Sequence, residues 1–266
     1  MHTMVPGVAA IALYLFVAIQ SSRRIALTGG TVSFRTMTGG LALLALVGHA
    51  VTLYPMAVTN SGINLGIFSA ASLVAWLIAG LTVVATSRRA LASLLVVIFP
   101  FAAIALGTSL LFSHPHILPR YSTGTALHVG LSLVAYAMFA VAALLGLYLA
   151  FAERRLKSHH PVMRFLPPLS DMEQTMFQLT AIAFLTLSSG LLLGFISIDD
   201  ISGQHLAHKI VFSILAWITF AVLLAGRHLW HWRGRRAVHL VLGGFVLLAL
   251  GFFGSKVALE LILERA

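Results

Sequence analysis

Long runs of apolar residues alternate with short polar connections along almost the whole chain. A helix needs about 20 mostly apolar residues to cross the hydrocarbon core of a bilayer. Eight runs meet or nearly meet this requirement, at about residues 4–20, 37–54, 63–86, 91–112, 123–151, 174–196, 206–229 and 237–262. The fifth run is long enough to tilt or to project beyond the bilayer. The pattern predicts an all-α, polytopic membrane helix bundle with eight transmembrane helices.

The composition agrees with a membrane protein and argues against a soluble one. Of the 266 residues, 59% are apolar and only 9% are charged, and the mean hydropathy is +0.99. Soluble domains carry about 25% charged residues. Because no stretch of the sequence separates one part of the chain from another, we predict a single integral membrane domain over residues 1–266.

The basic residues predict the orientation in the membrane. The formal net charge of +10 does not indicate nucleic-acid binding, because the lysines and arginines lie in short loops, where they act as a topology signal. Thirteen of the seventeen occupy one set of alternate loops, and the other side has Arg120, Lys209, Lys256 and Arg265. The positive-inside rule therefore predicts that both termini are extracytoplasmic. The predicted outer loops are short, at about 55–62, 113–122 and 197–205.

Two observations exclude classes of chemistry. Cysteine is absent, which excludes disulfides, thiol redox reactions and thiolate ligation of iron. The sequence also has no Ser/His/acid arrangement and no phosphate-binding glycine loop. We therefore do not expect a nucleophilic or hydrolytic enzyme.

Three histidines, His49, His128 and His208, fall near the predicted outer face of the membrane. At a rise of 1.5 Å per residue, His49 and His128 each lie roughly 7 Å inside the outer end of their helices. His208 lies close to the outer start of the seventh helix. An imidazole is costly in hydrocarbon and usually persists there for a functional reason. Histidines that meet near one membrane face suggest a ligand set for a metal or a heme iron.

Ligation of a heme by two histidines requires imidazoles from different helices. The estimated depths favour His49 with His128 as the iron ligands, and His128 with His208 is the second choice. Arg120 and Lys209 are the nearest outer charges, and we expect them to neutralise the heme propionates. The alternative for His49 is a packing histidine that is hydrogen-bonded to a neighbouring backbone or hydroxyl group.

His228 cannot share an iron with His208. It ends the helix that His208 begins, and the twenty residues between them span about 30 Å. His228 therefore marks a second, inner site, or belongs with Trp230, His231 and Trp232 to an interfacial belt.

Several segments in the second half of the chain resemble the cytochrome c assembly family, whose members bind and move heme. LHVGLSLVAYAMFAVAALLGLYLA at 127–150 resembles the histidine-bearing helix of that family, and MEQTMFQLTAIAFLTLSSGLLLGF at 172–195 resembles its next helix. Residues 208–256, with the turn WRGRR, are similar to its closing pair of helices. The best match spans 124–262, and the whole chain is most similar to the short YpjD-like inner-membrane subgroup.

The resemblance implies a protein of the bacterial inner (plasma) membrane that binds heme b. By position, His128 matches the outer heme-ligand histidine of the family, and His228 matches its histidine late in the following helix. The chain departs from the family in the signature loop, which reads GFISIDDISGQHLAHK and contains no tryptophan. The second outer histidine is also missing, so we do not expect cytochrome c heme-lyase activity.

Together these features predict a heme-b-binding inner-membrane protein for heme transport, heme handling and cytochrome c assembly, or for transmembrane electron transfer. Its expected partners are heme, the lipid bilayer, and another membrane protein or cytochrome assembly factor. The alternative is a transporter, or a transporter-accessory subunit, for a small solute or divalent metal ion. A purely structural subunit of a membrane complex is a third hypothesis.

Overall fold

The computed structural model describes residues 4–28, 37–59, 62–85, 93–112, 117–118, 123–157, 168–197 and 207–254. The helices in these ranges are α1 (Met4–Thr28), α2 (Met37–Ala57), α3 (Ile67–Val84), α4 (Leu95–Leu111), α5 (Thr123–Lys157), α6 (Leu169–Ser197), α7 (Ala207–Trp230) and α8 (Arg235–Ala249). A five-residue π-helix, Leu250–Gly254, continues α8. Three short strands are β1 (Val58–Thr59), β2 (Gly62–Asn64) and β3 (Ile117–Leu118).

The helices confirm the predicted all-α polytopic membrane bundle. Each of the eight apolar runs overlaps one of these helices, and seven of the helices are long and apolar enough to cross a membrane. The remaining one, α4, is apolar but has only 17 residues, with Pro100 inside it. Residues 255–262 of the last predicted span lie outside the described residues.

Helix α2 shows how these sequences fit a bilayer. Its large apolar side chains are mostly exposed, as at Leu43, Leu44, Val47 and Val51. Its small or polar side chains are buried, as at Ala42, Ala45, His49 and Thr52. Hydrocarbon outside a membrane helix is as apolar as leucine, so small residues pack against neighbouring helices and polar ones find partners there.

The helices group into two compact units. Unit 1 contains α1 to α4 with the three strands, and unit 2 contains α5 to α8 with the π-helix. In unit 1, α1 packs against α2 and α4, while α3 also packs against both. In unit 2, α5 packs against α6 and α8, while α7 also packs against both. Each unit is therefore a four-helix bundle in which the helices follow one another around the core; the single domain predicted over 1–266 stays a prediction.

A small antiparallel sheet joins two of the predicted outer loops within unit 1. It has the order β1-β2-β3, with Val58 opposite Ile63 and Ile63 opposite Leu118. Gly62 begins β2 with a φ of 149°, which glycine adopts at little cost. The described parts of the predicted outer loops at 55–62 and 113–122 therefore meet in this sheet, as the alternation of spans predicts.

Candidate functional site

His49 lies at the centre of unit 1, in contact with hydroxyl groups from other helices. Its side chain is completely buried. Nδ1 lies 3.2 Å from the hydroxyl of Tyr14 on α1, and Nε2 lies 2.9 Å from Ser72 Oγ on α3. Ser109 Oγ on α4 is 3.4 Å from Ser72 Oγ. These four residues, one from each helix of the unit, form what we call the His49 cluster.

The cluster occupies both ring nitrogens of His49. A neutral imidazole has one donor and one acceptor nitrogen, and a hydroxyl group can serve either of them. All hydrogen-bonding capacity of the ring is therefore used within the protein, as in the packing interpretation of His49. Ligation of iron by this residue stays a prediction, and it would require the exchange of one of these hydrogen bonds.

His128 has a different environment, near the first turns of α5 in unit 2. Its Nδ1 lies 2.6 Å from the backbone carbonyl of Gly190 on α6. Because a carbonyl only accepts hydrogen bonds, Nδ1 carries the proton, and in the neutral ring Nε2 carries a lone pair. Within the described part of the chain, Nε2 has no hydrogen-bond partner.

Two glycines of α6 lie beside the His128 side chain. A Cβ atom on Gly194 would lie 2.7 Å from both Nδ1 and Cε1 of His128, which is closer than Cβ atoms pack in proteins. A Cβ on Gly190 would lie 3.4 Å from Ser132 Oγ, at the next turn of α5. The imidazole thus packs against α6 at Gly194 and bonds the carbonyl of Gly190, and we call this pair of glycines the glycine slot.

The residues that continue the His128 face of α5 have structural partners. Ser132 Oγ donates a hydrogen bond of 2.7 Å to the His128 carbonyl. The Tyr136 ring packs against Phe245, Phe252 and Phe253, with centroid distances of 5.3 to 5.8 Å. The last two phenylalanines belong to the π-helix, an element that is frequent at functional sites.

His208 lies at the same level of unit 2 as His128. Phe139 of α5 stacks on Phe220 of α7, with ring centroids 3.8 Å apart. Both helices run antiparallel to α6. Helix α5 contacts it at His128–Gly194 and Gly146–Met176, and α7 contacts it at Trp217–Ser188 and Arg227–Glu173. His128 precedes Phe139 by eleven residues and His208 precedes Phe220 by twelve, so each lies roughly 16 to 18 Å from the stacked pair.

The remaining predicted site residues are distributed as follows. Lys209 adjoins His208 in the first turn of α7, and both side chains are partly exposed. Arg120 lies outside the described residues. His228 is exposed at the opposite end of α7, in keeping with its predicted separation from His208. The described residues contain no group of three or more His, Cys, Asp or Glu side chains placed to hold a metal ion.

An open groove runs between α6 and α7 at the end of unit 2 that contains His228. Its volume is about 510 Å³. The lining residues are Phe177, Gln178, Ala181, Leu224, Arg227, His228 and His231.

Arg227 stabilises the turn between α7 and α8, which lies beside this groove. Its guanidinium lies 4.5 Å from the centre of the Phe177 ring, and Nη1 donates to the Trp232 carbonyl at 3.3 Å. Nη1 is also 3.9 Å from Glu173 Oε1, which accepts the Gly234 N–H at 3.1 Å. Glu173 and Arg227 thus hold the WRGRR turn against α6.

The sequence pattern did not reveal the residues that orient these histidines. Gly190 and Gly194 have the four-residue spacing typical of close helix packing. This spacing was the one sequence feature that could have drawn attention to them. Nothing in the sequence indicated that a histidine of another helix would occupy the slot. Tyr14 and Ser72 have no local pattern that links them to His49, because they are distant in sequence.

Comparison with known proteins identifies relatives over most of the chain. The family model described as cytochrome C assembly protein matches residues 37–263. Inner membrane protein YpjD of Escherichia coli K12 is 34% identical over 225 residues, which cover 83% of this chain and 86% of that protein. An uncharacterised 28.8 kDa protein of Azospirillum brasilense is 32% identical over 141 residues, covering 52% of each chain. No solved structure matches the chain.

Proposed function

The chain belongs to the cytochrome c assembly protein family and is a multi-pass inner-membrane protein, and on this premise we propose that it binds heme b in heme handling for cytochrome assembly. His128 is the residue that would hold the heme iron. The proposal concerns binding and movement of heme, and it assigns no enzyme activity to the chain.

The observation that carries the proposal is the hydrogen bond from His128 Nδ1 to the Gly190 carbonyl. Histidines that ligate a metal almost always donate their other ring N–H to a carbonyl or carboxylate group, which selects the tautomer and orients the ring. The glycine slot adds a second constraint, because the ring packs so closely against α6 at Gly194 that a side chain there would collide with it. His128 therefore has the support that an axial ligand needs before the iron arrives.

His208 is the proposed second ligand. It belongs to the same unit as His128 and lies at the same level, on a helix that runs parallel to α5. His49 is less suitable, because both its nitrogens already have hydroxyl partners. Of the two pairings that the sequence predicts, this favours His128 with His208.

The chain's own contribution is to hold two neutral imidazoles and to provide cations for the propionates. Lys209, next to His208, is placed for this second role, and we assign the same role to Arg120. A heme with two histidine ligands would supply a reversible one-electron change at the iron. The sequence after α6, up to the start of α7, contains no tryptophan, and we propose no attachment of heme to an apocytochrome.

Heme titration of single variants tests the assignment. We expect His128→Ala to lose heme binding, and His208→Ala to retain a weaker complex whose spectrum shows one histidine ligand. His49→Ala should keep the spectrum of the unmodified protein. His239→Ala, which changes an exposed histidine of α8, is the matched control. Full heme binding by His128→Ala would contradict the proposal, and solute uptake into liposomes by heme-free protein would favour the transporter hypothesis.

A further inference from the structure

We propose that the groove between α6 and α7 binds the phosphate headgroup of an anionic phospholipid, with the upper part of the lipid tails against its apolar wall. The groove lies at the basic end of unit 2, which the charge pattern predicts to face the cytoplasm. This site is separate from His128, and the inference does not depend on heme binding.

The polar lining residues of the groove all lie toward its helix-end side. Gln178, Arg227, His228 and His231 are at this level, together with Phe177, whose ring lies under the Arg227 guanidinium. Ala181 and Leu224 lie about one turn further into the span and make that part of the lining apolar. A phospholipid in the adjacent leaflet has the same order, with its headgroup at the surface and its tails below. The groove therefore matches a lipid in direction as well as in chemistry.

The charge around the polar part of the groove favours an anion. The Arg227 side chain remains 28% exposed, and its distance of 3.9 Å from Glu173 is too long for a direct hydrogen bond. The adjoining turn adds the exposed residues Arg233, Arg235 and Arg236. Clusters of arginine at a membrane surface attract anionic lipids.

The tryptophans of the same turn are typical of the membrane interface. Trp230 and Trp232 lie side by side, with ring centroids 5.8 Å apart. Tryptophan is enriched at the level of lipid headgroups. The groove is thus at the depth where a phosphate group would meet Arg227 and the two exposed histidines.

Lipid titration of the full-length, delipidated protein in detergent tests the inference. The probes are phosphatidylglycerol and phosphatidylcholine with identical acyl chains, and native mass spectrometry counts the bound molecules. We expect the unmodified protein to bind phosphatidylglycerol about tenfold more tightly than phosphatidylcholine. Equal binding of the two lipids would overturn the proposal.

Two kinds of variant distinguish a specific lipid site in the groove from nonspecific attraction of anionic lipids to basic residues. Ala181→Trp fills the apolar part, and the double variant His228→Ala with His231→Asn removes polar contacts at exposed positions; both should remove the preference for phosphatidylglycerol. The matched controls are Ile182→Trp, at an exposed neighbour outside the groove, and His239→Ala, at an exposed histidine of α8 that does not line the groove. Both controls should keep the preference. Equal losses in controls and groove variants would contradict a specific site.

Two further outcomes identify other ligands for the same chemistry. Displacement of phosphatidylglycerol by millimolar inorganic phosphate would show a phosphate site without a tail site, which overturns the lipid proposal. Loss of heme absorbance in Ala181→Trp, with lipid binding unchanged, would assign the groove to a porphyrin instead. If Ala181→Trp does not fold, Leu224→Trp fills the groove from the opposite helix, and the double histidine variant still decides the question.

Discussion

The imidazole of His49 is enclosed by hydroxyl groups from other helices, whereas that of His128 is held at one nitrogen by a backbone carbonyl. The two arrangements suit different tasks. A histidine with two protein partners contributes to packing and stability, and one with a single fixed nitrogen can present the other to a ligand. We therefore attribute stability to His49 and binding to His128.

The glycine slot gives the sharpest prediction at the scale of single residues. Gly194→Ala places a methyl group against the His128 ring and should displace it from the Gly190 carbonyl. We expect heme affinity to fall at least about tenfold, which corresponds to ~1.4 kcal/mol. Heme titration followed by absorbance measures the change.

The control for this prediction is Gly130→Ala, which lies on α5 close to His128 and has open space around its Cα. It should leave heme affinity unchanged. If Gly194→Ala binds heme as tightly as this control, the glycine slot does not position the ligand.

The His49 cluster leads to a prediction about stability. His49→Ala removes the partner of the Tyr14 hydroxyl and one partner of Ser72 in a fully buried region. A buried polar group left without a partner costs about 1–3 kcal/mol. We expect a lower midpoint of thermal unfolding in detergent, with heme content unchanged. An unaltered midpoint, compared with the exposed control His239→Ala, would contradict the packing role.

The sequence identified the candidate histidines but not the hydrogen bonds that fix each imidazole. The burial of His49 followed from its position within an apolar run, and the placement of His228 far from His208 followed from helix geometry. Hydrogen-bond partners could not be predicted, because they depend on helix rotation and on contacts between residues far apart in the chain. Tyr14 and His49, for example, are separated by 35 positions.

At the scale of elements, the turn between α7 and α8 packs closely against the end of α7. His231 has a φ of 53°, and the Trp232 N–H donates to the Gly226 carbonyl at 3.1 Å. The Trp232 ring then covers Gly226, where an added Cβ would meet it at 2.2 Å. This turn folds back on the end of α7, so that Arg227 can reach the Trp232 carbonyl.

Gly226→Ala should therefore disrupt the turn. Overpacking of this kind typically costs about 1–3 kcal/mol, and we expect both a lower unfolding midpoint and faster proteolysis between α7 and α8. Gly243→Ala on α8 is the matched control, because nothing lies within 4 Å of its added Cβ. Equal stability of the two variants would show that Trp232 does not depend on Gly226.

Most elements were predictable because apolar runs of membrane length have few alternatives to a helix. The differences occur at helix ends and between helices. Helix α1 continues to Thr28, beyond the predicted end at residue 20, and the strands were not predicted at all. Two- and three-residue strands carry too little alternation to be recognised, and their pairing depends on loops brought together by the bundle of unit 1.

At the scale of the whole molecule, several polar side chains are buried and many large apolar side chains are exposed. Buried polar residues include Thr82 and Thr180, whose hydroxyls donate to carbonyls of the preceding turn. Exposed residues include Ile104, Leu185 and Phe195. A protein with this distribution requires a lipid environment, which agrees with its multi-pass membrane location.

The charge distribution predicts the orientation of the molecule. If the basic loops face the cytoplasm, as the positive-inside rule predicts, we expect both termini to be extracytoplasmic. Alkaline phosphatase fused to the C-terminus should be active, and a fusion inserted between α5 and α6 should be inactive. Green fluorescent protein at the same two positions should show the reverse pattern. Activity of the loop fusion, with an inactive C-terminal fusion, would reverse the orientation.

The most direct measurement is an absorption spectrum of the protein, purified in mild detergent after expression with ample heme, before and after reduction by dithionite. We predict a sharp α-band of a b-type heme with two histidine ligands in the reduced protein, and its loss in His128→Ala. A visible spectrum without heme bands, from protein that is folded and monodisperse, would contradict the central claim that this chain binds heme through His128.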